Sequence, residues 1–457
     1  MMRPWLPLLL AFGLLSGCAS MPEVEPMAAI GAPPAFAAAL PEAGAYEEWW
    51  GGFDDPVLDA LIERGLAANL EIAAARERLR SAEALLRAER ADRLPAVDGS
   101  ADIGAQTNGG NDVSASAGLF ALFDPDISGR LSAEIRAAAA RYAEADYLRA
   151  DARRIVAAAI ASQYVDYRRT GAQLELLEES TGLQEQTLEV VTLRYEAGLA
   201  ANLDVRRAAA DLAQTQARLG LLEIQRAEAA HALALLLAET PGSFVPPGEG
   251  GIGAIPSYDG GPPVGQPLDL LRRRTDVLAA EARLQEAAAG VGIERADLRP
   301  SLVVPASIVL GGGSLGDLLD EFLASIGAVL DIPIFDGGRR RAEVDAAEAE
   351  LDARYAEYRL TFLDALREAE NALVAIGAFR QREEALSVAI EQSEAALEQS
   401  NALYREGLAS LFDVLDAQRQ LISSREALLD NRASLSSAYV ALHLAAASPG
   451  PAIAPPV

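Results

Sequence analysis

From Gly338 to Leu408 the chain runs without a proline, and its apolar residues recur at alternating spacings of four and three. Leu351, Tyr355, Tyr358, Phe362, Ala365, Ala369, Ala372, Ile376 and Phe379 form this stripe, which thins and then returns at Leu386, Ile390, Leu397 and Tyr404. A 3.5-residue repeat keeps one seam of a helix against a neighbour, as in a coiled coil. At 1.5 Å rise per residue, such a helix is about 100 Å long. Ordinary domains use helices of three or four turns. A rod of this length implies a protein that spans a distance.

The same pattern occurs twice. Arg194-Tyr195-Glu196-Ala197-Gly198-Leu199-Ala200 followed by Asn202-Leu203-Asp204-Val205 matches Tyr404-Arg405-Glu406-Gly407-Leu408-Ala409 followed by Leu411-Phe412-Asp413-Val414. Gly129-Arg130 opens one long helix as Gly338-Arg339 opens the other, and Ala91-Asp92-Arg93-Leu94-Pro95 has its partner in Ala296-Asp297-Leu298-Arg299-Pro300. Length alone would suggest about three domains. The repeat instead implies one architecture made by duplication.

Composition excludes several classes of function. A formal net charge of −28 disfavours nucleic acid and anionic surfaces as partners. One cysteine and two histidines, His231 and His443, leave no Cys/His zinc site and no thiol–imidazole dyad, and no cofactor loop is present. Both histidines lie in apolar helical stretches and are expected to pack. Alanine richness and few aromatics suit close-packed long helices. No catalytic residue, metal site or cofactor is expected.

Residues 1–17 read as a secretory signal: a basic start, an apolar run from Trp5 to Leu15 too short to span a bilayer, then Leu15-Ser16-Gly17-Cys18. Residues 18–46 are a Pro-, Ala- and Gly-rich leader. The first repeat covers 47–240, with Asp54 or Asp55 as an N-cap before Pro56, a helix at about 69–92 with an apolar face of Leu70, Ala73, Ala74, Leu79 and Leu85, a β-hairpin at about 96–123 and long helices at about 130–239. A Pro/Gly-rich strap spans 241–267. The second repeat covers 268–447, with a hairpin at about 301–335, its return strand from about Ser325 to Phe335, and long helices at about 338–447. Pro305 is expected to demote part of its strand. Residues 448–457 are a loose tail. The returning helix from Leu411 carries two adjacent stripes, Val414-Leu421-Leu428-Leu435-Leu442 and Leu415-Ile422-Leu429, so it packs on both sides as a closed ring of helices requires.

After residue 17 no stretch approaches the roughly 18 apolar residues of a membrane helix. A chain that crosses a membrane must then do so as a closed β-barrel. Two hairpins supply four strands, short of the roughly eight in the smallest barrels. Pooling three copies gives about twelve strands and about twelve helices, a barrel continued by a helical ring.

The duplicated halves, the RYEAGLAANLDV and LYREGLASLFDVLDAQRQL turns, PIFDGGRRRA and the LSGC box resemble the TolC-type outer-membrane efflux factors, in the lipoprotein group typified by OprM and NodT. The match runs from Trp49 to about Ala447. The resemblance implies a mainly α fold with a small β part: duplicated long-helix hairpins forming an α-barrel, and two β-hairpins contributing to a trimeric twelve-stranded transmembrane β-barrel. It implies a homotrimeric exit duct working with a periplasmic membrane-fusion adaptor and an inner-membrane transporter of the RND class. It also implies lipidation at Cys18 and an outer-membrane location. Where the family carries Arg-Arg-Pro-Asp this chain has Arg272-Arg273-Arg274-Thr275-Asp276, a change in a loop near the ring's equator. Carried over residue by residue, the periplasmic gate falls on Phe412, Asp413, Asp416, Leu203 and Asp204. The adaptor meets the tip turns at Gly198, Leu199, Gly407 and Leu408. Asp204 and Asp413 equally stand where a carboxylate would cap a returning helix, and Arg339-Arg340-Arg341 reads as a solvated run or a ligand site. Two rivals remain open: the duct of a type I protein-secretion system, and a coiled-coil envelope lipoprotein with no channel.

Overall fold

The computed structural model describes residues 48–107, 111–244, 254–259, 273–312 and 321–446. A 3-10 turn at Trp49–Phe53 leads into α1 (Pro56–Ala68), α2 (Leu70–Ala91), β1 (Ala96–Thr107), β2 (Asn111–Phe123), α3 (Arg130–Glu196), α4 (Asn202–Gln216) and α5 (Leu219–Leu236). The second half holds α6 (Thr275–Ala296), β3 (Ser301–Gly312), β4 (Glu321–Ile326), β5 (Val329–Asp331), α7 (Arg339–Arg405) and α8 (Leu411–Ala446). Both α3 and α7 contain 67 residues. Each is therefore about 100 Å long. Cys18, the signal and leader, the tail and the hairpin turns at 108–110 and 313–320 lie outside the described residues.

Local chemistry starts the short helices where expected. Asp55 Oδ1 accepts the N–H groups of Val57 (2.9 Å) and Leu58 (3.2 Å), with Pro56 at the first helical position. Its other oxygen accepts the Tyr164 hydroxyl at 2.9 Å, which ties α1 to α3. Asn69 caps α2 through Glu71 and Ile72, and its amide donates to Leu236 O at the end of α5. The face of α2 that packs is Ile72, Ala75 and Leu86, whereas Leu70 and Leu85 are exposed. The periodicity allowed both stripes, and docking on α3 selected the other one.

In the half of the molecule that carries the sheet, the helices stand side by side in the order α2, α3, α6, α7. Three ion pairs fasten α3 to α6: Arg130–Asp297 (3.4 Å), Arg141–Glu286 (2.6 Å) and Glu144–Arg283 (2.6 Å). Below the equator α3 lies between α4/α5 and α8, and α8 lies against α7. The largest apolar core sits where these levels meet and includes Phe53, Leu58, Ile62, Tyr164, Leu233, Tyr439 and Leu442. The helix expected to return unbroken to about Glu239 is two pieces. At Ala217–Arg218 the backbone tightens, Arg218 N–H donating to Thr215 O, and the Arg218 side chain pairs with Glu426 of α8 at 2.7 Å.

The strands form one antiparallel sheet in the order β1-β2-β3-β4, with β5 continuing the path of β4 beside β3. The second return strand begins no later than Glu321 and ends at Asp331, earlier at both ends than Ser325–Phe335. It breaks at Gly327–Ala328 because Pro305, opposite, has no N–H to donate, although β3 itself continues through the proline. Register separates the faces. Val97, Ala101, Ile103, Ala117, Leu119, Ala121, Ala306, Ile308, Leu310, Phe322, Ala324 and Ile326 share one; Asp98, Ser100, Asp102, Ser116, Ser307 and Ser325 share the other with Phe120, Leu122, Val309 and Leu323. No described helix is long and apolar enough to cross a membrane.

His231 is exposed, contrary to the packing role expected of it. His443 is buried, stacked on Trp49 (5.0 Å between ring centroids), with its Nε2 lacking a partner. Burial pushes the His443 imidazole down from 6.5 to about 3. The unfolded chain therefore takes up this proton first as pH falls below 6.5, and folded stability declines towards pH 3. The protein should be about 2 kcal/mol less stable at pH 5 than at pH 7 through this residue alone. His443→Phe should remove that part of the acid slope in denaturant unfolding followed by circular dichroism.

Candidate channel gate and assembly edges

Both long helices end in the same turn. Gly198 (φ 73°) and Gly407 (φ 75°) occupy the left-handed region just past each helix end. Leu199 N–H donates to Arg194 O (2.7 Å) and Gly198 N–H to Tyr195 O (2.9 Å). Leu408 N–H donates to Leu403 O (2.8 Å) and Gly407 N–H to Tyr404 O (3.1 Å). These paired bonds satisfy the last carbonyls of each helix. They also push Leu199 (69% exposed) and Leu408 (75% exposed) into solvent, two apolar side chains at the point furthest from the sheet.

The positions expected to form a gate separate into two kinds. Asp413 is engaged: its Oδ2 accepts the backbone N–H (2.8 Å) and hydroxyl (2.7 Å) of Ser410. Those bonds hold its carboxyl below the usual carboxylate range. Asp416 is exposed and meets only Arg419, at 3.6 Å. Phe412 and Leu203 are more than half exposed. Asp204 is half-buried and stands near the Tyr404 phenol, which burial pushes up.

The sequence pattern did not reveal what joins the two turns. Arg194, on the last turn of α3, lies over the Tyr404 ring (4.6 Å to the centroid) and donates to Tyr404 O at 3.1 Å. Its Nε and the Tyr404 hydroxyl are buried without partners. Above this clamp lies a small core of Val191, Ala208, Leu411, Val414 and Leu421, and then a buried polar layer. There Gln418 donates to Thr187 Oγ1 (2.9 Å) and Gln184 to Asp211 Oδ2 (3.2 Å). Burial pushes the Asp211 carboxyl up, with Arg419 at 4.0 Å opposing. Isolated glutamines within heptad stripes carry little periodic signal, and pairing between helices distant in sequence carries none.

The other functional feature is the pair of open edges. β1 and the β4–β5 strand each pair on one side only. In the helical layer, α7 presents Leu360, Leu363, Val374 and Val388 to solvent, and the opposite flank presents Leu70, Leu85, Leu221 and Ile224. The protomer is thus apolar along both flanks of its helical layer and has two open sheet edges.

Comparison with known proteins agrees. The model of the outer membrane efflux protein family matches residues 61–239 and again 267–448. Nodulation protein T of Rhizobium leguminosarum bv. trifolii is 31% identical over 88% of this chain and 87% of its own length. The solvent efflux pump outer membrane protein SrpC of Pseudomonas putida is 29% identical over 94% of this chain and 95% of its own. The solved structure of the outer-membrane channel OprN superposes with a TM-score of 0.82 at 29% identity, covering 93% of this chain and 95% of that one. The chain belongs to the outer membrane efflux protein family. It is an outer-membrane efflux channel with a TolC-like fold and a periplasmic helical barrel.

Since nothing lies within 4 Å of a Cβ built on Gly198 or Gly407, alanine at either should cost only the left-handed backbone term, roughly 1 kcal/mol. Thermal unfolding of Gly198→Ala and Gly407→Ala should register that loss, and Leu199→Ala should leave stability unchanged.

Proposed function

We propose that three copies close into one duct that carries small, largely apolar molecules out of the cell as the exit of a tripartite pump. The observation that carries this reading is the pair of bare edges. Four strands with two unpaired rims cannot sit in hydrocarbon, where each unsatisfied backbone group costs several kcal/mol. Three copies give about twelve strands, within the range of closed barrels. The apolar flanks of α7 and of α2 and α5 close the helical ring at the same seams. The signal at 1–17 is removed and Cys18 is acylated.

At the far end a periplasmic adaptor seats on Gly198-Leu199 and Gly407-Leu408, with an RND-type transporter behind it. The solvent cargo named for the Pseudomonas relative supports small apolar compounds as substrates. Phe412, Asp416, Leu203 and Asp204 narrow the mouth. Threefold copies of these carboxylates near an axis repel one another, so the mouth responds to cations and to partners. Asp413 serves the turn rather than the pore.

Detergent-purified protein should be a trimer by mass and should conduct ions in a planar bilayer. Asp416→Asn with Phe412→Ala should raise that conductance, and Asp413→Asn should destabilise the turn. Cys18→Ser should abolish palmitate labelling. A monomer with no conductance would remove the duct reading.

A further inference from the structure

The two halves of the chain meet through contacts whose residues are themselves duplicated. Arg130, the first residue of α3, bridges Glu134 (3.2 Å) and Asp297 (3.4 Å). Asp297 is the C-cap of α6, where a carboxylate opposes the negative end of the helix and gains from a cation opposite. In the other half, Arg339 begins α7 and pairs with Glu343 at 2.7 Å. Arg339 follows Arg130 by 209 positions, as Glu343 follows Glu134. The counterpart of Asp297, 205 positions earlier, is Asp92, the C-cap of α2. Asp92 is exposed on the opposite flank of the protomer, and no described cation pairs with it. Two members of the triad are together and the third is at the wrong end of the molecule.

We propose that the seam between copies repeats the seam between halves, so that Arg339 bridges Glu343 to Asp92 of the partner subunit. This deepens the three-copy duct and rests on it. The sheet obeys the same rule. β2 pairs with β3 within the protomer, Phe120 opposite Ser307 and Ala121 opposite Ala306. The β4–β5 strand is the counterpart of β2, and β1 that of β3; both have a free edge. The unbroken register of β3 with β4 and β5 carries the 209-residue offset through the strand. Transferring the pairs by the two offsets places Val329 opposite Asp102 of the partner subunit and Leu330 opposite Ala101 of the partner subunit. Continued past Asp331, this register brings Ile334 and Phe335, 93% and 91% exposed in the protomer, alongside Val97 and Ala96 of the partner subunit. The most exposed apolar pair in the described chain is thereby covered. The run Arg339-Arg340-Arg341 finds a use at its first member.

Charge reversal tests the ion pair and disulfide trapping tests the register. Arg339→Asp alone, or Asp92→Arg alone, should shorten the lifetime of the detergent-solubilised trimer roughly fivefold per seam, and the double swap should recover most of it. Arg130→Asp with Asp297→Arg acts within the protomer and is the control. Val329→Cys with Asp102→Cys should give covalent trimers on non-reducing gels. Val329→Cys with Ser100→Cys, one register step away, should not, and the parent with Cys18 alone is the blank. Trapping that favours the shifted pair, or a double swap without rescue in a chain that still forms trimers, overturns the register and leaves the duct intact. A parent chain that forms no trimer overturns the duct itself.

Discussion

The rest of the structure depends on one constraint: the rim of a β-sheet carries N–H and C=O groups that hydrocarbon cannot satisfy. A soluble sheet hides such rims with charge, bulges or a covering helix. Here β1 and the β4–β5 strand are long and uncovered, and one face of the sheet is apolar from Val97 to Ile103 and across its neighbours Ala115–Ala121, Ala306–Leu310 and Phe322–Ile326. In the proposed duct, closure by neighbouring copies would remove both rims at once. It would also fix what the helices must do, since a ring that continues the barrel has to close at the same seams. The bare flank of α7 and the bare flank of α2 and α5 are thus one requirement expressed at two levels.

Between the open ends, the equator keeps the wall from splaying. The last carbonyls of α8 receive cations: Arg154 donates to Leu444 O, and Arg274 donates to Ala445 O at 3.2 Å. Arg274 is 3% exposed and grips Asp276 through two nitrogens and Glu368 through a third. A buried guanidinium survives only with its donors filled, and losing one partner costs far more than the pair contributes. Thr275, where the related pattern has proline, donates its hydroxyl to Asp151 Oδ1 at 2.8 Å and so joins α6 to α3. The altered loop adds a hydrogen bond across the halves where proline would have offered none.

Much of this was legible because it is periodic or repeated. The 67-residue helices follow from a heptad stripe without proline, the tip glycines from a duplicated turn, and the hairpins from a change of period to two. What stayed hidden is relational. Leu70 and Leu85 lie on a plausible stripe of α2, yet the neighbour chose Ile72, Ala75 and Leu86. The break at Arg218 has no proline to announce it. The Arg194–Tyr404 clamp and the Gln418–Thr187 bond join helices whose separation in sequence carries no local signal.

The two tip turns share their glycines but differ in how each returning helix begins. Ser410 gives the second turn a hydroxyl and an N–H that bind Asp413, whereas Ala201 at the matching place has no hydroxyl, and Asp204 makes no described side-chain hydrogen bond. After the second turn comes α8, 36 residues unbroken; after the first comes α4, only 15 residues long before the chain bends. In the proposed three-copy duct the two unlike hairpins would alternate around the tube, making it threefold in mechanics where the twofold repeat of each chain approaches sixfold symmetry. The carboxylates left without a capping role, Asp416 and Asp204, then fall on different hairpins. In the proposed duct, repulsion among them would act between an unbroken helix and a broken one, and the broken one would yield first. A mouth built from six identical hairpins would have no such preferred direction of movement.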